Sequence, residues 1–322
     1  MSNKNQVLLS PEMQQKLGHY IPASWEDGLR ALAEAPMGGF TFAVQTDTHF
    51  SVNSNDQQAN CLKALSHFVP LDFYANFGDY IKGYFMKEIG KIENTPDKTM
   101  YSLKELTRRY LEDANCPVLV TFGNHDTNQL WCKHYGTADQ QLTQADHREQ
   151  VIDKIKAHNG DRMVTDGQSN YYYVDFPKDD VRMIMLNTTD GQYEAEFGNT
   201  AMLSDRQIEW LRDEALNTTA QVFVVCHVPL IKEFPGNDGS DVKNSALARK
   251  AVEEFIQKGG RFIVYLCGHT HIQASLTDEN GRLHISFKNG GGIAEVVTLD
   301  TDNKKITTRG LGAVENREFS YR

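Results

Sequence analysis

The sequence predicts an α/β fold, and three observations carry that prediction. Short apolar runs at 40–44, 71–77, 117–122, 181–186, 221–226 and 262–267 read as buried strands separated by amphipathic stretches of helical period. From 272 to 310 the pattern changes to short alternating runs divided by turn residues, which reads as an antiparallel meander. Five of the six central runs stop at a polar cluster of His, Asp or Asn. Open α/β sheets place their ligands at such strand ends.

Residues 1–36 are helical in pattern. Pro11 opens one helix; Ser24 caps a second, with Glu26 and Asp27 in its first turn, and Pro36 with Gly38-Gly39 ends it. This extension is expected to pack on a main domain through Trp25, Leu29 and Leu32. The first strand, 40–44, runs into Asp47-Thr48-His49, whose outer pair share one side if the chain stays extended, as a chelating pair would. A helix is expected at 55–69, and strand 71–77 ends in Gly78-Asp79. Thr95-Pro96-Asp97 reads as a turn and 102–111 as a helix. Strand 117–122 ends in Gly123-Asn124-His125-Asp126, where a glycine permits a bend and three polar side chains follow at once.

The second half repeats the pattern. Residues 127–150, with Trp131, His134, Tyr135 and His147, read as a long connection on the rim of a pocket. Strands are expected at 169–176 and 181–186, then a polar loop at 188–203 with Tyr193 and Phe197. Ser204-Asp205-Arg206-Gln207 has the form of a capping box and opens a helix. Strand 221–226 ends in His227, a loop lies at 235–239, and a helix at 245–257. Strand 262–267 ends in Gly268-His269-Thr270-His271. Asn280-Gly281 is a hairpin turn between 274–277 and 282–287, and 293–299 pairs with 305–308.

Composition narrows the function classes. Hydrophobic residues are 40% of the 322 and charged residues 24%, enough for a sizeable core. A net charge of −10 repels polyanions, so a nucleic-acid partner is not expected. No apolar run of membrane length exists, and the start lacks the apolar stretch of a secretory signal, so a cytoplasmic location is expected. Five cysteines, an odd number with no C-x-x-C pair, read as reduced thiols.

The strand-end clusters together offer Asp47, His49, Asp79, Asn124, His227, His269 and His271 as ligands. Three oxygens and four imidazoles are too many for one tetrahedral site and suit two cations that share a carboxylate.

The ordered set Asp47-x-His49, Gly78-Asp79, Gly123-Asn124-His125-Asp126, His227 and Gly268-His269-x-His271 resembles the five-block pattern of the calcineurin-like metallophosphoesterases. The resemblance implies a four-layer αββα sandwich with two mixed β-sheets, here one domain over 37–322 with 1–36 as a helical extension. It implies that Asp47, His49 and His271 hold one divalent ion, that Asn124, His227 and His269 hold another, and that Asp79 bridges both. A metal-bridging hydroxide would attack phosphorus in line with the leaving oxygen. His125 would protonate the leaving group or stabilise its charge, and Asp126 would orient the His125 ring. Manganese, iron, zinc and nickel all suit the donor set.

Departures from subfamily patterns narrow the substrate. Tyr80-Ile81-Lys82-Gly83 and the closing Asp126 differ from the pattern of the serine/threonine protein phosphatases, which end these blocks in Asp-Arg-Gly and Gly-Asn-His-Glu. Lys82 stands where purple acid phosphatases place a tyrosine ligand. The repair nucleases share Gly-Asn-His-Asp, but this chain is acidic and lacks a basic stretch interleaved with aromatics. What remains resembles the bacterial phosphodiesterases of small diesters. A phosphomonoesterase is the alternative, ahead of a nuclease or a non-catalytic scaffold. The oligomeric state is left open.

Overall fold

The computed structural model describes residues 23–34, 39–51, 58–67, 69–83, 96–129, 132–133, 136–191, 201–237, 239–288, 290 and 293–321. The expected first helix at Pro11 lies outside them, as do Trp131, His134, Tyr135, Tyr193 and Phe197.

Two mixed sheets form, of six and seven strands. β1 (Phe40–Gln45) is buried along its whole length, as a strand covered on both faces must be. It pairs in parallel with β2 (Phe73–Asn76), and β2 pairs in parallel with β3 (Val118–Val120). The second sheet runs β4 (Met163–Thr165), β5 (Tyr172–Phe176), β6 (Val181–Met185), β7 (Gln221–Val225), β8 (Arg261–Cys267), then β10 (Leu283–Ser286) and β9 (Ala274–Thr277). Strands β6, β7, β8 and β10 are mutually parallel; the outer pairs are antiparallel.

The expected single meander at 272–310 is corrected. β9 and β10 close the second sheet, whereas β11 (Ala294–Asp300), β12 (Lys305–Leu311) and β13 (Arg317–Ser320) extend the first sheet from β1. Alternation tells which side a residue faces, and says nothing about which sheet a strand joins.

Between the sheets lies an aromatic core. Phe40, Phe42 and Phe73 of the first sheet meet Phe176 and Phe223 of the second, with ring centroids at 5.0 Å for Phe40–Phe176 and 5.3 Å for Phe73–Phe176. Helices cover the outer faces. α1 (Glu26–Glu34) lies against β12, with its Leu29 and Leu32 buried along with Trp25 just before it; a Cβ on its Gly28 would stand 2.7 Å from the Gly310 carbonyl. α2 (Gln58–Ser66) packs on β1 and β2, and α3 (Pro96–Leu111) on α2. Pro96 therefore opens a helix and does not sit in a turn, because a helix tolerates proline in its first turn.

A third helical stretch is interrupted. α4 (Gln144–His147) passes through a π-helical turn, Arg148–Ile152, into α5 (Asp153–Asn159). α6 (Asp205–Trp210) and α7 (Ser245–Gln257) cover the far face of the second sheet. Ser204 caps α6, its Oγ accepting from Gln207 N at 3.1 Å. The expected capping box is only half made: the Gln207 amide goes to Asn187 N and O at 2.8 and 3.0 Å. No helix among the described residues is long and apolar enough to cross a membrane, and all five cysteines are free.

β3 is the edge of the first sheet, and it leads to the Gly123 loop. An edge strand exposes unpaired backbone groups. Here two side chains stand in for a neighbouring strand. Asn159 accepts from Val118 N at 3.0 Å and donates to Val118 O at 2.8 Å. The Tyr172 hydroxyl accepts from Val120 N and donates to Val120 O, both at 2.8 Å. Tyr172→Phe and Asn159→Leu each leave a buried donor and acceptor unpaired, so each is expected to cost about 1–3 kcal/mol, read from urea-unfolding midpoints. An unchanged midpoint would mean that water pairs this edge.

Candidate metal centre

Strands β1, β2 and β3 of the first sheet and β7 and β8 of the second end at one place. The loops that follow are hydrogen-bonded to each other. Asp47 N and His49 N donate to Gly78 O and Asp79 O, both at 2.9 Å, and Gly268 N donates to His227 O at 3.0 Å. Within them the backbone is not extended. Asp47, His49, Asp79, His269 and His271 have φ of 53°, 48°, 48°, 68° and 59°. That left-handed region costs an ordinary residue roughly 1–2 kcal/mol. The expectation that Asp47 and His49 share a side through extended chain is thus corrected. They converge because both residues are wound the wrong way, and the same holds for His269 and His271.

The glycines act for two different reasons. Gly78 has φ +96°, a true turn position. Gly123 is extended at φ −113°, ψ −177°, so it supplies space and not a bend. A Cβ there would stand 2.3 Å from Asp79 Oδ1 and 2.4 Å from His227 Cδ2. At Gly268 it would stand 2.0 Å from Thr46 Oγ1.

The geometry brings the expected side chains into two overlapping groups. One ligand atom from each of Asp47, His49, Asp79 and His271 lies within 4.8 Å of the others, and the same is true of Asp79, His227 and His269. Asp79 belongs to both. His271 Nε2 is 3.1 Å from Asp47 Oδ1 and 3.4 Å from His49 Nε2. His227 Nε2 is 3.2 Å from Asp79 Oδ1 and 3.9 Å from Asp47 Oδ1. His227 and Asp79 are buried, and half-exposed His271 is open to solvent.

Hydrogen bonding around the groups leaves atoms over. His227 Nδ1 donates to Phe77 O at 2.8 Å, which turns Nε2 toward the carboxylates. Asp47 Oδ2 accepts from Thr46 Oγ1 at 2.7 Å and His269 N at 3.1 Å. Buried His49 Nδ1 and Asn124 Oδ1 make no hydrogen bond, and buried Asp47 Oδ1 and His227 Nε2 meet the imidazole and carboxylate groups of this cluster without a well-formed one. Buried polar atoms are almost always paired, so several left over in one cluster fit a cation held there. Burial opposes a proton on His227, but Asp79 and Asp47 outweigh it and raise its pKa to about 9. Proton and metal compete for that nitrogen.

His125 and Asp126 lie in the short turn Asn124–Asp126. The His125 ring sits 4.5 Å from the His49 ring, its Nε2 is 3.9 Å from Asp79 Oδ2, and burial pushes its pKa down to about 4. Asp126, expected to orient the His125 ring, has both oxygens engaged by backbone. Its Oδ1 accepts from Ile81 N at 2.8 Å and its Oδ2 from Gly123 N at 2.6 Å, so the carboxylate ties the turn to the loop after β2. Burial and the neighbouring Asp79 hold its pKa well above the usual range.

Sequence reasoning missed the support beneath the site. Asn76 Nδ2 donates to Thr48 Oγ1 at 3.1 Å and its Oδ1 accepts from Gly78 N at 3.0 Å, linking the Asp47 and Asp79 loops. Its only signal was an amide at the end of an apolar strand. His147, read as a rim residue, is fully buried. Gly123→Ala is expected to displace Asp79 or His227 and to cost about 1–3 kcal/mol by overpacking, measured by thermal unfolding. A variant as stable as the parent, with unchanged imidazole NMR signals, would mean the loop has room to spare.

Comparisons with known proteins bear on this arrangement. The fold is similar to that of a dimetal phosphatase from Danio rerio, 16% identical, with a TM-score of 0.58 over 88% of this chain and 99% of that one. Weaker likenesses are to the Plasmodium GAP50, the anchor in the inner membrane complex, and to a Candida albicans 5′-nucleotidase. The first is 12% identical with a TM-score of 0.43 over 88% of this chain and 89% of that one. The second is 14% identical with a TM-score of 0.42 over 82% and 48%. No curated protein matches the chain significantly. The sequence model of the calcineurin-like phosphoesterases matches residues 40–273, from the first residue of β1 to the residues just after His271, and the chain belongs to that family.

Proposed function

We propose that the protein is a binuclear metal-dependent hydrolase of small phosphodiesters. The observation that carries this reading is the sharing of Asp79 between two ligand groups. Asp47, His49 and His271 would hold one cation with Asp79; Asn124, His227 and His269 would hold the other. Two divalent ions so placed supply charge for the phosphoryl oxygens and lower the pKa of a bound water.

The chain's own residues do the rest. The imidazole of His125 faces the shared carboxylate from beside His49, where it can hydrogen-bond an oxygen leaving phosphorus. Asp126 fixes the turn that carries it. His227 is oriented by Phe77 O, as metal-bound imidazoles are by carbonyl partners. The preference for diesters is supported by the departures from protein-phosphatase and purple-acid-phosphatase patterns at Tyr80–Gly83 and Asp126. The test is a panel of small phosphomonoesters and phosphodiesters, with manganese, iron, zinc or nickel added to metal-free protein. Faster turnover of diesters is expected; faster turnover of monoesters replaces the finer reading.

Asp79→Ala is expected to empty both sites, and His49→Ala only one, by elemental analysis of the purified proteins. Two metals and near-parental activity in Asp79→Ala would exclude the shared-ligand assignment. His125→Ala should keep both metals. It should slow a glycerophosphodiester roughly 10²–10⁴-fold but bis-p-nitrophenyl phosphate much less, because nitrophenolate leaves without help. Loss of a metal would make His125 a ligand.

A further inference from the structure

The connection after Asp126 carries a buried histidine that the proposed reaction does not use. His147 is the last residue of α4, and that helix start is fixed on both sides. Thr143 caps it: Thr143 Oγ1 accepts from Asp146 N at 3.1 Å, and Asp146 Oδ2 accepts from Thr143 N at 2.7 Å. Beyond it, in the π-helical turn, Arg148 donates to Ser169 O at 2.6 Å. Asn128 adds a third tie, accepting from Leu142 N at 2.7 Å.

From this support the His147 ring reaches back to the turn. Its Nε2 lies 2.6 Å from Asp126 O, and its Nδ1 lies 2.9 Å from Thr143 O. A carbonyl only accepts, so a ring N–H donates here, and the shorter contact is the one to Asp126 O. The ring also packs edge-on against Phe122 at 4.9 Å. Phe122 and Asp126 bracket Gly123, Asn124 and His125, so one imidazole holds both ends of the segment.

We propose that His147 is a positioning residue: through Asp126 O and Phe122 it sets the angle at which the turn presents His125. The inference rests on His125 being the leaving-group residue. The other supports of this turn, Asp126 Oδ1, Asp126 Oδ2 and His125 N, all bind the loop after β2 or the turn itself. His147 links the Asp126 carbonyl of this turn to the helical connection, beside the Asn128 tie that follows it. A displacement of about 1 Å in such a group costs on the order of 10²-fold in rate.

The experiment uses His147→Gln, which can offer an amide donor near the Nε2 position, with His147→Asn, whose amide falls short, and His147→Leu. Each is assayed for metal content, folding and turnover of a glycerophosphodiester and of bis-p-nitrophenyl phosphate, with His125→Ala alongside. The expected result is full metal in all. His147→Asn and His147→Leu should lose roughly tenfold to a hundredfold on the glycerophosphodiester and clearly less on the nitrophenyl ester. His147→Gln should recover most of that loss. If His147→Leu does not fold, the Gln and Asn pair makes the same comparison. Equal slowing of both esters, or no recovery with glutamine, overturns the inference while a split in His125→Ala leaves the reading of His125 standing. No split in His125→Ala overturns that reading and the inference with it.

Discussion

The Asp79 carboxylate is almost wholly removed from water, and an isolated carboxylate in that position would protonate. Burial raises its pKa, yet His227, His125 and His49 outweigh the effect and hold it well below the usual range. Much of the molecule follows from keeping that charge in place. Glycine is needed at 123 because any side chain would strike Asp79. His227 is turned by Phe77 O so that its other nitrogen faces Asp79. The backbone of His125 donates to the same carboxylate at 2.8 Å.

The second demand is on the backbone. Five of the candidate ligand side chains stand on left-handed residues, a region sparsely populated for any residue with a Cβ. Such strain persists only where neighbours over-determine it. Here the loops pair with each other across strand ends, and Asn76 links two of them from below. Parallel strands buried on both faces, with phenylalanines interleaved between the sheets, give these loops a base that does not yield. The stable core is thus the means by which strained residues are kept at one edge.

The sequence made the central strands and the ligand-bearing ends legible because both are dense local signals: apolar runs cut off by His, Asp and Asn. It did not disclose β4 or β13, which span only three and four residues. Nor did it disclose that 272–310 is divided between two sheets, since pairing partners are not written in alternation. Pro96 read as a turn because proline starts helices and turns with the same backbone angle. Asp126 read as a partner of the adjacent His125, and the pattern gave no sign that its oxygens accept from Gly123 N and from Ile81 N. Local order along the chain is a poor guide to which hydrogen-bond donors a buried carboxylate will meet.

Both ligand groups draw on both sheets. Asp47, His49 and Asp79 follow strands of the first; His227, His269 and His271 follow strands of the second. The aromatic layer joins the sheets by close packing of side chains. A cation gripped by residues from each side would be a rivet through the seam, fixing the register of one sheet on the other at the edge where catalytic geometry has to be kept. Occupancy of the site would then be a mechanical property of the whole sandwich as well as a chemical property of one corner of it.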